Sequence, residues 1–283
     1  MSRRVEIVEV GPRDGLQNEP RAIPTAEKVA LVDTLSRAGF RRIEVASFVN
    51  PARVPQMADG AGVLAGITRV SGVRYGALVP NLRGYLAARA AGADEVAIFA
   101  SASEGFSRAN LNASIAESLQ RFAEVAAAAR EDGVPMRGYV SCVTDCPYDG
   151  PVAPADVARV AAALRGLGCF EISLGDTLGR GTPARVAAML GAVLGEVPAG
   201  QLAGHFHDTS GRALENVAVA LELGVRVFDA SAGGLGGCPF APGASGNVAT
   251  GAVLDWLTAR GWETGLDAGV LAEASALALR MRG

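Results

Sequence analysis

Eight short strand-like runs that alternate with helical patterns constrain the fold of this chain more than any other feature. The runs are rich in apolar residues, and they lie at residues 5–10, 42–46, 73–79, 95–100, 136–141, 170–174, 202–207 and 225–230. Between them, apolar residues recur at three- and four-residue spacing, the pattern of amphipathic helices, at residues 25–38, 113–131, 154–167, 182–194 and 212–223. Eight strand–helix units predict an α/β fold, a closed parallel (β/α)8 TIM barrel.

A doubly wound open sheet is the alternative architecture for a chain that alternates strands and helices. No G-x-G-x-x-G segment follows the first strand-like run, which argues against the dinucleotide-binding form of that sheet. A last helical pattern at residues 267–281 predicts an additional C-terminal helix packed on the barrel. No linker-like stretch interrupts the chain, so we expect residues 1–283 to form a single catalytic domain.

Composition excludes several classes of partner. The net charge is −3 and no basic patch stands out, so we expect no nucleic acid partner. No apolar run reaches the roughly 18 residues of a membrane span, so we expect no membrane partner. The spacing of the four cysteines matches no zinc or redox motif, and the N-terminus runs straight into the first strand, which together predict a cytoplasmic protein. A homodimer is the default expectation, because most homo-oligomers have twofold symmetry.

The chain has two histidines, His205 and His207, and both lie in the seventh strand-like run. Residues i and i+2 of a strand point to the same side, so both imidazoles leave one face of the segment. Two converging imidazoles are a natural start for a divalent metal site. The ordinary alternative is a pair of hydrogen-bonded histidines at the end of a strand.

The predicted barrel brings two further candidate ligands to the same end, because active sites of this fold lie at the C-terminal ends of the strands. Asp14 comes just after the first strand, and Asn247 follows the eighth. A site of carboxylate, imidazole and amide groups suits Mg, Mn, Co or Zn without distinguishing among them. Each residue also has a structural explanation: Asp14 as a turn residue and Asn247 as a helix N-cap.

Three other residues bear on the chemistry. Arg13 places a fixed positive charge at the same mouth, where it can hold an enolate or a carboxylate, or form a surface ion pair. Cys238 lies in a glycine-rich segment that can act as a lid, so its thiol is either a proton donor or a small apolar contact. The only lysine, Lys28, lies away from any strand end, which disfavours a Schiff-base aldolase and leaves metal-assisted carbon–carbon cleavage.

Together these segments resemble the 3-hydroxy-3-methylglutaryl-CoA lyases, within the superfamily of metal-dependent lyase and Claisen-condensing barrels. The likeness covers nearly the whole chain and is carried by residues 10–19, 43–49, 54–57, 101–104, 137–142, 171–177, 205–209, 234–239 and 243–247. The Gly-Leu-Gly-Gly-Cys-Pro run at 234–239 separates these lyases from the condensing enzymes, which share the Arg-Asp and the His-x-His.

The resemblance implies a divalent-metal-dependent enzyme, with Mg or Mn as cofactor, that cleaves the acyl-CoA substrate 3-hydroxy-3-methylglutaryl-CoA to acetyl-CoA and acetoacetate. It assigns four residues to the metal: Asp14, His205, His207 and Asn247. It assigns the remaining catalytic roles to Arg13 at the thioester enolate, to the lid thiol Cys238, and to Glu44 and Asp176 as supports of the site. Asp14 is a candidate base, and His205 or Cys238 a candidate acid.

Substrate contacts are assigned to Arg13, Gln17 and Asn110, although Asn110 is better explained as a loop residue before a helix. Two departures from the family pattern, Pro20 in place of a lysine and Gly251-Ala252 in place of an acidic pair, keep a lyase acting on a related 3-hydroxyacyl-CoA open. A condensing acyltransferase that joins acetyl-CoA to a 2-oxo acid is a second alternative, although such enzymes usually carry further C-terminal sequence. A metal- or CoA-binding protein without turnover is the third, and the retained site residues argue against it.

Overall fold

The computed structural model describes residues 3–236 and 246–282, and eight of its strands close into a parallel barrel. The strands are β1 (Glu6–Glu9), β2 (Arg42–Ser47), β3 (Arg74–Leu78), β4 (Glu95–Ser101), β5 (Met136–Ser141), β6 (Asp145–Cys146), β7 (Gly150–Pro151), β8 (Glu171–Asp176), β9 (Leu202–Phe206) and β10 (Val227–Ala230). The order around the barrel is β1-β10-β9-β8-β5-β4-β3-β2, and β2 pairs with β1 to close it. The predicted TIM barrel is therefore confirmed.

Ten α-helices surround the strands in the described part of the chain. They are α1 (Thr25–Arg37), α2 (Gly60–Gly66), α3 (Leu82–Ala90), α4 (Glu104–Leu111), α5 (Ile115–Glu131), α6 (Pro154–Gly166), α7 (Pro183–Leu194), α8 (Ala213–Glu222), α9 (Thr250–Thr258) and α10 (Ala268–Met281). The predicted C-terminal helix is present as α10, which packs against α1 and α9. Within residues 3–236 and 246–282, no helix combines the length and apolar character needed to cross a membrane.

Some elements were not predicted from the sequence, and each omission has a physical reason. Helix α2 contains three glycines in seven residues, and glycine has a low intrinsic helix propensity. The antiparallel hairpin β6–β7 has only two residues in each strand, too few for an alternating pattern to show. The strand predicted at 170–174 extends as β8 to Asp176, which brings that carboxylate into the strand itself. The assignment of residues 1–283 to a single domain remains our proposal.

Candidate active site

Asp14, His205 and His207 converge at the C-terminal end of the barrel. Asp14 lies in a π-helical turn, Gly11–Gly15, shortly after β1. His205 is the penultimate residue of β9, and His207 follows that strand. One ligand atom from each residue lies within 4.8 Å of the others. The Nε2 atoms of His205 and His207 are 3.2 Å apart, and Oδ2 of Asp14 is 3.9 Å from Nε2 of His205. The three side chains form a group able to hold a metal ion.

Asp229 on β10 orients the first of these imidazoles, and sequence reasoning missed it. Its Oδ2 accepts a hydrogen bond from Nδ1 of His205 at 3.1 Å and from Oγ of Ser173 at 2.7 Å. A carboxylate only accepts, so Nδ1 carries the proton, and in the neutral imidazole Nε2 keeps its lone pair toward the group. The only sequence signal for this residue was a lone acidic side chain inside an apolar strand.

The electrostatics of the group suit a bound cation. Burial alone would raise the pKa of Asp14, but Arg13 and then the two imidazoles outweigh it and lower that pKa to about 2. Burial, and then the neighbouring His205, lower the pKa of His207 to about 4. Burial would also lower the pKa of His205, but Asp229 outweighs it and raises that pKa. An ionised Asp14 and a neutral His207 at pH 7 are the states that metal ligation requires, so the donor set fits a divalent ion.

Asn247 lies beside Asp14 with its amide nitrogen toward the carboxylate. Nδ2 donates to Oδ2 of Asp14 at 2.7 Å and to the Leu235 carbonyl at 3.2 Å. Ligation through the amide oxygen, as the sequence suggested, would require this amide to rotate. Asn247 does not cap a helix, because α9 begins at Thr250. Gly236 is needed next to it, because its φ is 104° and a Cβ there would lie 2.7 Å from that Nδ2.

Arg13 is held rigidly at the edge of the metal-ligand group. Its Nε and Nη2 donate to the two carboxylate oxygens of Glu44 at 2.8 and 3.1 Å, and its Nη1 donates to Oδ1 of Asp14 at 2.5 Å. The hydroxyl of Tyr139 donates to Oε2 of Glu44 at 2.5 Å. Arg13 is 5% exposed, so a positive charge of fixed orientation faces the cavity above the site. Tyr139 was not predicted, because a tyrosine in a strand reads as a core residue.

Glu9 ties together the two segments that carry Asp14 and Asn247, and it too was missed. Its Oε1 accepts from the backbone nitrogens of Gly11 at 2.8 Å and Ala232 at 2.9 Å. Its Oε2 accepts from Oγ1 of Thr250 at 2.7 Å. Burial raises the pKa of Glu9 to about 7 in spite of these three donors. The carboxyl group thus fixes the exit of β1 against the start and end of the glycine-rich segment.

A cavity of about 670 Å³ opens above the metal-ligand group, a volume typical of small-molecule sites. Its walls bring together seven of the residues that the sequence singled out: Arg13, Asp14, Gln17, Asn110, His205, His207 and Asn247. Asn110 lies inside α4 and not in a loop before a helix. Cys238 lies outside the described residues.

Asp176 does not line this cavity. Its Oδ1 accepts from Oγ1 of Thr144 at 2.6 Å, and its Oδ2 accepts from the backbone nitrogen of Gly181 at 2.8 Å. Both contacts hold the loops that follow β5 and β8. Lys28 is buried elsewhere, and its Nζ donates to Oδ1 of Asp59 at 2.7 Å.

Comparison with known proteins places the chain in a family. The family model described as HMGL-like matches residues 4–278. A zebrafish (Danio rerio) protein named cytoplasmic 3-hydroxy-3-methylglutaryl-CoA lyase is 59% identical over 263 residues, covering 93% of this chain and 78% of its own length. The crystal structure of the HMG-CoA lyase from Brucella melitensis is 61% identical, with a TM-score of 0.98 and 99% of both chains covered.

A more distant solved structure adds information about ligands. It is an HMG-CoA lyase from Acinetobacter baumannii in complex with coenzyme A and 3-methylmalate, 39% identical, with a TM-score of 0.93 and 98% of this chain and 92% of that chain covered. The family resemblance inferred from the sequence motifs is confirmed by these matches. The chain belongs to the HMGL-like family, which is the family of the HMG-CoA lyases.

Proposed function

We propose that this chain is a divalent-metal-dependent carbon–carbon lyase that cleaves 3-hydroxy-3-methylglutaryl-CoA to acetyl-CoA and acetoacetate. The observation that carries the proposal is the placement of Arg13 against the group of Asp14, His205 and His207. Arg13 and this group face the same cavity, which is large enough for much of an acyl-CoA. The names of the relatives, and the coenzyme A bound in one of them, support the substrate class.

Asp14, His205 and His207 would hold the cation, with Mg or Mn as our proposed metals and Asn247 as an adjoining ligand. A divalent cation bound there would polarise the substrate oxygens next to the bond that breaks. The protein prepares this site by ionising Asp14, by keeping His207 neutral and by fixing the Nδ1 proton of His205 on Asp229. The imidazole orientation is therefore set before any ligand arrives.

Arg13 would donate hydrogen bonds to the thioester oxygen, where negative charge develops as the enolate of acetyl-CoA forms. Glu44 and Tyr139 hold the guanidinium in place, so no reorganisation is needed at that moment. The low pKa of Asp14 makes its carboxylate a weak base, which favours ligation over proton removal as its role. Cys238, on sequence grounds alone, remains our proposed donor to the enolate carbon.

Supporting roles follow from the positions of the other predicted residues. Gln17 and Asn110, on the cavity wall, are proposed to contact the acyl-CoA. Asp176 is proposed to support the site through the loops that bear Thr144 and Gly181. A homodimer and a cytoplasmic location also remain proposals from the sequence.

The direct test is turnover of 3-hydroxy-3-methylglutaryl-CoA by chelator-treated protein, with and without added Mg²⁺ or Mn²⁺. Acetoacetate that forms only with metal supports the proposal. Folded, metal-loaded protein that yields no acetoacetate contradicts the proposed substrate. Incubation with acetyl-CoA and 2-oxo acids, followed by release of free CoA, would instead identify the condensing reaction.

A further inference from the structure

A line of buried ion pairs runs from the N-terminal end of the barrel toward the site. Arg42 and Glu171 begin β2 and β8, and Nη1 and Nη2 of Arg42 donate to the two oxygens of Glu171 at 2.8 and 3.1 Å. Nε of Arg42 also donates to Oε1 of Glu6 at 2.7 Å. Glu171 accepts a further hydrogen bond at 2.8 Å from Nε of Arg137, whose side chain is only 2% exposed. These contacts fix the position of Arg137 from below.

Arg137 divides this line into two branches that end at different parts of the site. Its Nη2 donates to Oδ1 of Asp229 at 2.7 Å, and Asp229 holds the imidazole of His205. Its Nη1 donates to the hydroxyl of Tyr139 at 2.8 Å. Tyr139 in turn donates to Glu44, the carboxylate that holds Arg13. Arg137 does not line the cavity, and within the described part of the chain its side chain donates to Glu171, Tyr139 and Asp229 and not to His205 or Arg13.

We infer that Arg137 is a positioning residue that sets a metal ligand and the enolate-binding arginine together. One planar guanidinium with donors in three directions fixes Asp229 and Tyr139 at a constant separation, with Glu171 as the anchor. A shift of Arg137 therefore displaces both branch ends at once. This inference rests on the proposed function for the role of Arg13, and on the metal-ligand group for the role of His205.

The test substitution has to preserve charge. The connected groups comprise five carboxyl groups and three guanidiniums, so removing one positive charge would change the potential at the metal-ligand group as well as its geometry. Arg137→Lys keeps the charge, but its ammonium is a point donor on a flexible stem and cannot serve three partners in a planar fork. The geometry is thereby perturbed with the charge held constant.

Three measurements on Arg137→Lys test the inference: Mn²⁺ affinity, the tautomer of His205 and turnover. In Arg137→Lys we expect the Mn²⁺ dissociation constant, measured by calorimetry, to rise by about threefold to thirtyfold, the range for coupling through intermediate residues. We expect kcat at saturating metal to fall as well. Because the chain has only two histidines, ¹⁵N NMR of histidine-labelled protein reports the His205 tautomer directly, and we expect its Nδ1–H population to fall.

Two further variants complete the test: one interrupts a single branch, and the other is a control outside the line of ion pairs. Tyr139→Phe interrupts only the branch to Glu44 and should lower kcat without changing the His205 tautomer. Arg74→Lys is the matched control. Arg74 lies on β3, in register with Arg42 on β2. Its side chain is 57% exposed, and its Nη1 lies 3.9 Å from Oε2 of Glu95, outside the branched line of ion pairs. It should change none of the three readouts.

An Arg137→Lys protein that is folded and keeps both the wild-type Mn²⁺ affinity and the wild-type His205 tautomer overturns the inference. If that variant does not fold, Glu171→Asp keeps the charge but shortens the anchor and leaves Arg137 in place, with shifts expected in the same direction. Absence of those shifts in folded Glu171→Asp also overturns it. Mn²⁺ binding and NMR need no substrate, so a failure of the proposed lyase reaction is distinguished from a failure of this inference.

Discussion

Replacement of Asp229 by asparagine tests how the metal-ligand group is prepared. The carboxylate uses Oδ1 to accept from Arg137 and Oδ2 to accept from His205 and Ser173. Asparagine has one acceptor oxygen and one donor nitrogen in place of two acceptors. If the oxygen stays against the guanidinium, the amide nitrogen faces Nδ1 of His205 and favours the tautomer with the proton on Nε2. That tautomer has no lone pair at Nε2 for a cation.

The expected magnitude follows from the role of such partners in metal sites. Loss of the residue that orients a ligating histidine typically weakens metal binding by about 10- to 100-fold, or about 1.4–2.7 kcal/mol. We expect a smaller change in the free energy of unfolding than the roughly 3–5 kcal/mol for breaking a buried ion pair, because Arg137 keeps Glu171 and an amide oxygen. The Mn²⁺ dissociation constant is measured by calorimetry near pH 7.5.

Glu95→Gln is the control, because it changes a buried carboxyl group at the N-terminal end of β4 whose ion-pair partner among the described residues is Arg74, and not a member of the metal-ligand group. It should bind Mn²⁺ as the wild type does. A folded Asp229→Asn protein with a dissociation constant within twofold of the wild type would refute the reasoning about the imidazole tautomer.

Three further results are expected. Arg13→Met should lower kcat by about 10²–10³-fold, as loss of one oxyanion donor does, while folded protein still binds Mn²⁺; an unchanged kcat contradicts its role at the enolate. A saturating divalent ion should raise the melting temperature, and chelation should reverse the shift, whereas His207→Gln, which lacks one ligand, should show a smaller rise at the same ion concentration in a thermal scan. Burial raises the pKa of Glu95 from 4.5 to about 7, so its protonated form stabilises the fold below pH 4.5 and that contribution is lost as the pH rises to 7. Urea unfolding should therefore show the wild type losing about 3 kcal/mol relative to Glu95→Gln between pH 4.5 and 8, and parallel pH profiles would contradict this.

The parts of the site that the sequence predicted depend on local geometry and on barrel closure. His205 and His207 share a face because strand side chains alternate, and Asp14 reaches them because β10 separates β1 from β9 by a single strand. These inferences need only the period of a strand and the order of strands in a closed barrel. The fold class was predictable for the same reason.

The residues that were missed depend on side-chain direction and register, which the sequence does not encode locally. Asp229 on β10 meets Arg137 and Tyr139 of β5 inside the barrel, although these two strands are not neighbours in the sheet. A single charged residue in a strand is equally compatible with an exposed position at the edge of a sheet. The structural role of Glu9 is recognisable only when its three hydrogen-bond donors are seen together, and two of them, Ala232 and Thr250, lie more than 220 residues from Glu9 in the sequence.

Pulsed electron paramagnetic resonance of Mn²⁺-loaded protein tests the central claim most directly, because it detects nitrogen atoms that ligate the ion. The chain has two histidines, so any imidazole coupling comes from His205 or His207. We expect couplings to two imidazole nitrogens in the wild type and to one in His207→Gln. Stoichiometrically bound Mn²⁺ without imidazole coupling would contradict the assignment of Asp14, His205 and His207 as the metal-binding group.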